Sequence, residues 1–263
     1  MERLLLLRLH SAGCAAEARI NDIPVARTPA GGGTMNVPVH EYLLAGTNLL
    51  TLSIEPVPAG APAAPRLAAQ PLAARARLLL PRIGQVGSEL SARTLAELEL
   101  ALPEGELYTP PLTAQRSTEL PISFPRWRWL DLPPAGDPAA VQPLVAGFVQ
   151  GLAVALARGD ADAFVQAARL RFEELAIAYQ KPAAELAARW RARIQMLHAT
   201  KALRMVLPAL PDVQLRPCAG GRLLECVDAA GRPILRTETG PDGSSHAWPV
   251  RVGVVEGHCH VMR

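Results

Sequence analysis

The chain has 263 residues, of which 49% are hydrophobic and 19% are charged, and its formal net charge is +3. This composition is typical of a globular protein rather than a disordered one, and the mild charge argues against nucleic-acid binding, which needs a concentrated basic surface. The length suggests two domains. Only Lys181 and Lys201 are lysines among 27 basic residues, a skew that, with the abundant alanine and proline, indicates a GC-rich bacterial genome.

The opening stretch, MERLLLLRLHSAGCAAEARINDIPV, allows two interpretations. Its SAGC segment is similar to a lipoprotein cleavage box, which would make the protein a periplasmic lipoprotein anchored at Cys14. However, Arg8 and His10 interrupt the apolar run and alternate with leucines, as polar residues do in a half-buried strand. We therefore predict that the chain opens with a β-hairpin, keeps its N-terminus and is cytoplasmic.

Residues 1–55 have the pattern of an antiparallel β unit. INDIPV and LAGTN contain turn residues, and MNVPVHEYL and NLLTLSIEP read as strands. This order, with its Asn-containing turn, its V-P-V-x-x-Y-L run and its G-x-N-x-L segment, resembles galactose-binding-like β-sandwich (jelly-roll) modules over residues 15–55. The resemblance implies a sandwich and makes carbohydrate a candidate ligand.

The remainder of the first half contains further strand patterns. Residues 55–73 hold five prolines and predict an extended surface loop. ARARLLLPRI and TLAELELAL alternate like strands, and LPISFPRWRWLDL at 120–132 is predicted as the last strand of the sandwich. PPAGDP at 133–138 has the composition of a linker, which predicts a β-sandwich domain at 1–135 and a second domain at 136–263.

In the second half the pattern becomes helical over 139–200 and returns to short strands over 205–263, which predicts three helices followed by an antiparallel meander. Twenty consecutive uncharged residues at 138–157 are long enough to span a bilayer. Their apolar side chains follow helical spacing, with glutamines beside the stripe. We therefore predict no membrane span but a buried core helix, in which Gly147 and Gly151 permit close packing.

The most informative short motif is PRWRW at 125–129. In a strand, Trp127 and Trp129 would share one face, and Arg126 and Arg128 the other. Exposed tryptophans could anchor a partner or stack on a sugar, and adjacent arginines could hold carboxylates. Alternatively, both tryptophans belong to the core of the sandwich and both arginines are solvated. We predict these four residues as the binding site.

Histidines and cysteines offer a second, weaker site. His258 and His260 would share a strand face and could bind a metal if His246 or Cys226 converged on them. Strand alternation by itself explains the pair, so we predict no metal and no cofactor. The four cysteines contain no C-x-x-C motif, although Cys218 and Cys226 could pair across a hairpin in an exported protein.

Together these patterns predict an α+β protein with an N-terminal antiparallel β-sandwich and a C-terminal domain of three helices and an antiparallel meander. The favoured function is non-catalytic: an accessory, adaptor or immunity-type protein that docks a protein partner. The alternative is a hydrolase or metal-dependent enzyme with a site around His246, His258 and His260. A glycan-binding module ranks third.

Overall fold

The computed structural model describes residues 4–57, 63–81, 92–120, 124–240 and 243–263. It is a mixed α+β structure with antiparallel sheets and four α-helices. The chain separates into two compact units, Met1–Arg126 and Trp127–Arg263. A boundary at 135 and the independent folding of each half stay predictions.

The first unit contains two four-stranded antiparallel sheets. One has the order β4-β1-β7-β8 and the other the order β10-β5-β2-β3, while β6 and β9 form a short ribbon. The strands are β1 Leu6–Ala12, β2 Ala16–Ile20, β3 Ile23–Thr28, β4 Gly32–Pro38, β5 Gly46–Ile54, β6 Arg66–Leu67, β7 Leu72–Leu80, β8 Arg93–Leu102, β9 Leu107–Tyr108 and β10 Leu112–Leu120.

Alternation places the leucines of β1 in the core. Leu7 and Leu9 are fully buried, whereas Arg8 is half-buried and His10 is exposed, as the strand interpretation of this segment predicts. The expected opening hairpin is wrong. Strand β1 pairs with β4 and β7, and β2 pairs with β3 and β5, so the two strands belong to different sheets. Gly13, at φ +71° between them, allows the chain to cross from one sheet to the other.

Two asparagines of the segment that resembles jelly-roll modules have a structural role. The side chain of Asn48 is buried, accepts a hydrogen bond from the Leu44 N–H at 2.8 Å and donates to the carbonyls of Leu44 and Gly46. Asn21 donates to the Asn48 Oδ1 at 2.8 Å and to the Tyr42 carbonyl. This Asn21–Asn48 pair therefore ties the β2–β3 turn to the loop before β5.

The predicted last strand at 120–132 is wrong in the residues described there. Residues 124–127 have no regular structure, and Arg128–Asp131 form one turn of 3-10 helix. The strand at this end of the unit is β10, whose residues are mostly exposed and which sequence patterning does not identify. Residues 121–123 lie outside the described residues.

The second unit has helices α1 Pro138–Ala157, α2 Asp162–Ala167, α3 Arg169–Tyr179 and α4 Ala183–Ala199. They are followed by β11 Gln214–Cys218, β12 Leu223–Val227, β13 Leu235–Arg236, β14 Ala247–Trp248, β15 Arg251–Val255 and β16 His258–Val261. The predicted second helix is divided at Ala168, which has a non-helical backbone (φ −100°, ψ 15°). Strands β11, β12, β15 and β16 form one antiparallel sheet, with the β13–β14 ribbon inserted between β12 and β15 in the chain.

Helix α1 packs by one side only. Its buried residues are Val145, Ala146, Val149, Leu152, Ala153 and Leu156, which share a core with the other helices and the sheet. The expectation that its glycines permit close packing within the fold is wrong, because Gly147 and Gly151 are exposed and no heavy atom lies within 4 Å of where a Cβ would stand. The helix therefore presents an apolar face that the described residues do not cover.

Candidate functional site

In the PRWRW segment the tryptophans are buried and the arginines are exposed. Trp127 and Trp129 are 1% and 2% exposed, whereas Arg126 and Arg128 are exposed. The alternation is not that of a strand, because residues 128–131 form a 3-10 turn. The indoles belong to the second unit rather than to a β-sandwich. A partner could touch them only if the neighbouring chain moved, while the two arginines are accessible.

Buried charges hold this segment. The Glu174 carboxylate accepts a hydrogen bond from the Arg128 backbone N–H at 2.5 Å and pairs with the Arg263 guanidinium. The Arg263 guanidinium also lies 5.7 Å from the centroid of the Trp127 ring, within the range of a cation–π contact. Glu174 and Arg263 are both buried, so the pair fixes where residues 127–128 lie rather than providing a surface site.

The Arg128 side chain makes a further pair at the surface. Its Nη1 donates to Glu173 Oε2 at 2.5 Å, and Arg169 donates to the other oxygen at 2.7 Å. The hydrogen bond from Arg128, and to a smaller extent the charge of Arg169, lowers the pKa of Glu173 although burial opposes the shift. The Arg128 side chain is thus half exposed and ion-paired to Glu173 at the surface of the second unit.

A groove of about 700 Å³ lies among α1, α2 and the β15–β16 hairpin. Its apolar residues are Leu144 and Phe148 from α1, Ala167 from α2 and Val255 from β15, and its polar residues are Gln166, Glu256, His258 and His260. Sequence patterning assigns Leu144 and Phe148 to a buried stripe and so misses them as groove residues. The signal that could have identified them is that residues 138–157 carry no charge, so no charged face of α1 balances its apolar stripe.

The structure brings together two of the three candidate histidines. His258 and His260 line the groove, whereas His246 is not among its lining residues. Within the described residues, no group of three His, Cys, Asp or Glu side chains is arranged to hold a metal ion. Burial raises the pKa of the neighbouring Cys259 thiol, so this sulfur is not an activated nucleophile. The enzyme alternative stays a prediction without support from this geometry.

The cysteines are all reduced. Cys218 and Cys226 are buried free thiols, and their cross-strand neighbours are Leu223 and Leu215 rather than each other. Burial raises the pKa of the Cys226 thiol far above its usual range. Cys14 is also buried, with its Sγ 3.4 Å from the Ala73 carbonyl oxygen. An acyl chain on Cys14 would require this part of the first unit to open.

Comparison with known proteins finds no matching family model, no matching curated protein and no matching solved structure.

Proposed function

We propose that this protein is a non-catalytic adaptor or accessory protein that docks a protein partner, and that the groove of the second unit receives an apolar segment of that partner. The observation that supports it is the incomplete burial of α1. Among the helices of the described ranges, α1 is the one long and apolar enough to cross a membrane, with a mean hydropathy of 1.7, and 33% of its most apolar window is buried. Exposed apolar surface of this kind marks interaction sites.

The groove has the composition of an interface centre. Leu144 is 42% exposed, and Phe148 and Val255 lie beside it as partly buried apolar side chains. Protein interfaces have such an apolar centre within a polar rim, and a few well-packed residues provide most of the binding energy. His258, His260 and Glu256 provide that rim. In this proposal Arg128 is an exposed residue of the second unit outside the groove, and the buried Trp127 and Trp129 have a structural role.

For the first unit we propose that the two four-stranded sheets pack as a β-sandwich and that the two units are separate domains. The buried leucines of β1 and the buried Leu50 and Leu52 of β5 are what support facing inner surfaces. Glycan binding by this unit ranks below protein docking, because the two indoles that could stack on a sugar are buried in the second unit.

The test replaces Leu144 by glutamate and compares it with Ile177→Glu. Ile177 is an exposed apolar residue of α3, 56% exposed, that does not line the groove. Partners are captured from a bacterial host on immobilised wild-type protein, purified, and titrated against each variant by calorimetry. Leu144→Glu should weaken binding at least about 100-fold, the effect of losing an interface anchor, and Ile177→Glu should leave the affinity unchanged.

Two outcomes would contradict the proposal. One is equal affinity of the purified partner for the wild type and Leu144→Glu. The other is flotation of the wild-type protein with vesicles of zwitterionic and anionic lipid that Leu144→Glu abolishes, since this would assign the apolar face of α1 to a membrane. Circular dichroism and thermal melting of both variants check that each remains folded.

A further inference from the structure

A set of polar residues forms two rows across the sheet β4-β1-β7-β8. One row runs Thr34, His10, Arg75 and Glu99 in cross-strand register, and the other runs Asn36, Arg8, Arg77 and Glu97. In both rows the uncharged polar side chains lie on β4. The basic side chains lie on β1 and β7, and the carboxylates lie on β8. The face is accessible, since His10, Thr34 and Arg75 are exposed and Arg8 and Arg77 are half-buried.

The basic groups are placed unfavourably for stability. Arg8 stands directly opposite Arg77. Like charges directly opposite each other in an antiparallel pair are destabilising, whereas opposite charges in the same positions stabilise it. An exchange of Arg77 with a glutamate of the next strand would remove the repulsion, yet the chain has the arginines adjacent. This arrangement presents two adjacent guanidinium groups to which a single anion can bind.

The carboxylates of β8 lie beside Arg75 and Arg77. Glu97 accepts a hydrogen bond from Arg75 Nε at 2.6 Å, and Glu99 lies 3.9 Å from the same nitrogen. The cross-strand neighbours of Arg8 are Asn36 and Arg77. In cross-strand register, Arg8 of β1 is thus one strand further from the β8 carboxylates than Arg77 of β7. A guanidinium has five N–H donors, so an arginine that already contacts a neighbour retains donors for a ligand.

A depression of about 240 Å³ lies over this part of the face, and the residues that line it are Arg8, His10, Thr34, Arg75 and Arg77. The His10 ring and the Thr34 hydroxyl are joined by a hydrogen bond of 2.8 Å between Nδ1 and Oγ1, so both are held at the edge of the depression. Three guanidinium groups, one imidazole and one hydroxyl thus surround a space large enough for a small ligand.

We propose that this depression binds a small molecule that carries a phosphate monoester. A phosphate dianion matches the adjacent pair Arg8 and Arg77 in charge, and guanidinium forks bind phosphate oxygens in a bidentate manner. The Thr34 hydroxyl can donate to a third oxygen. A nucleic acid fits poorly, because its backbone would extend beyond the depression onto Glu97 and Glu99. The site lies on the first unit and is independent of the groove proposed for partner docking.

The experiment titrates the full-length protein by calorimetry with inorganic phosphate, with glucose 6-phosphate and with glucose. The variants are Arg8→Gln and Arg77→Lys, and the matched control is Arg93→Gln, an exposed arginine at the start of β8 that does not line the depression. We expect saturable binding of both phosphates with a Kd of about 1 mM or tighter, and no binding of glucose. Arg8→Gln should weaken the binding of both phosphates at least about tenfold.

Arg77→Lys sharpens the test, because lysine keeps the charge and loses the bidentate fork. We expect it to weaken phosphate binding as well, while Arg93→Gln binds like the wild type. The proposal is overturned if phosphate shows no saturable binding at about 10 mM, if Arg93→Gln and Arg8→Gln weaken binding equally, or if a DNA duplex binds more tightly than glucose 6-phosphate. Melting temperatures without ligand check that each variant folds.

Discussion

Two ion pairs, one from each unit, use charged residues in different ways. In the second unit, Glu174 and Arg263 form an ion pair whose side chains are 4% and 1% exposed. In the first unit, the Arg75–Glu97 pair on the outer sheet face has side chains that are 45% and 29% exposed. The buried pair satisfies a backbone N–H and packs against an indole, whereas the exposed pair borders a depression open to solvent.

This difference separates charges that specify the fold from charges available to a ligand. Removal of one member of a buried pair leaves the other without compensation in a medium of low dielectric constant, and this is strongly destabilising. When one member of an exposed pair is removed, water solvates the remaining charge, so little stability is lost. The following four substitutions test the comparison. They remove a buried charge, a buried neutral amide, a buried carboxylate near the surface and a half-buried carboxylate, in that order.

Glu174→Ala should have the largest effect. It leaves the buried Arg263 guanidinium without its carboxylate and the Arg128 N–H without its acceptor, so the free energy of unfolding should fall by about 3–5 kcal/mol. Urea denaturation followed by circular dichroism measures the change. The double variant Glu174→Leu with Arg263→Met removes both charges, so its free energy of unfolding should fall by less than that of Glu174→Ala. A loss below about 1 kcal/mol for Glu174→Ala would show that the pair is solvated.

Asn48→Ala should rank second. The amide makes hydrogen bonds to Leu44, Gly46 and Asn21 from a site that is 2% exposed, and its removal leaves buried backbone groups without partners. We expect a loss of about 2–3 kcal/mol in the same assay. Asn36→Ala on the exposed edge strand β4 is the control and should change the stability by less than about 0.5 kcal/mol. Equal effects of the two substitutions would contradict the role of the Asn21–Asn48 pair.

Asp228 provides a pH-dependent intermediate case. Burial raises its pKa, but hydrogen bonds from the backbone and side chain of Arg232, with the charge of Arg236, outweigh burial and lower it. Because the folded-state pKa lies below the unfolded value of about 3.9, the stabilisation is complete above that value and is lost as the pH falls through the folded pKa.

Asp228→Asn should therefore lower the free energy of unfolding by about 1–2 kcal/mol at neutral pH, and the wild type and variant should converge in acid. Urea denaturation at a series of pH values measures this. Asp212→Asn, on an exposed 3-10 turn, is the control. A difference between Asp228→Asn and the wild type that stays constant into acid would refute the assignment.

Glu97→Gln should have the smallest effect on stability, less than about 1 kcal/mol, and the effect should diminish in high salt. Because the substitution removes a negative charge beside Arg75 and Arg77, it should tighten phosphate binding to the first unit. Calorimetry with inorganic phosphate tests whether this substitution, which slightly lowers the stability, raises the affinity for phosphate. Weaker phosphate binding by Glu97→Gln would show that the carboxylate positions the arginines rather than competing for them.

The elements that sequence patterning predicts well are those with a regular apolar period. The alternation of leucines with Arg8 and His10 predicts β1, the turn residues of INDIPV predict the turn at Asn21-Asp22, and helical spacing predicts α1 and α4. In each case the local pattern agrees with the face that is buried. The Asp160 side chain accepts a hydrogen bond from the Asp162 N–H at the start of α2, as its position after Gly159 predicts.

The misassigned segments are those whose structure depends on distant residues. The Trp-Arg alternation of residues 126–129 imitates a strand, but Glu174 and Arg263 decide where the segment lies, and these two are 89 residues apart in the chain. The two rows of the first unit depend on the register of four strands, which no local pattern contains. The sequence shows these rows only as four polar pairs at i, i+2 spacing: Arg8 with His10, Thr34 with Asn36, Arg75 with Arg77, and Glu97 with Glu99.

The scarcity of lysine has a consequence for chemical labelling. Lys181 precedes α4 and Lys201 follows it, and both side chains are exposed. The 17-residue helix between them is about 25 Å long, so a donor and an acceptor dye on the two lysines would report on a distance along α4. Amine-directed reagents therefore modify side chains of the second unit alone and leave the arginines of the first unit unmodified. Acetylation would remove charge at both ends of α4 and none from the β1–β7 face.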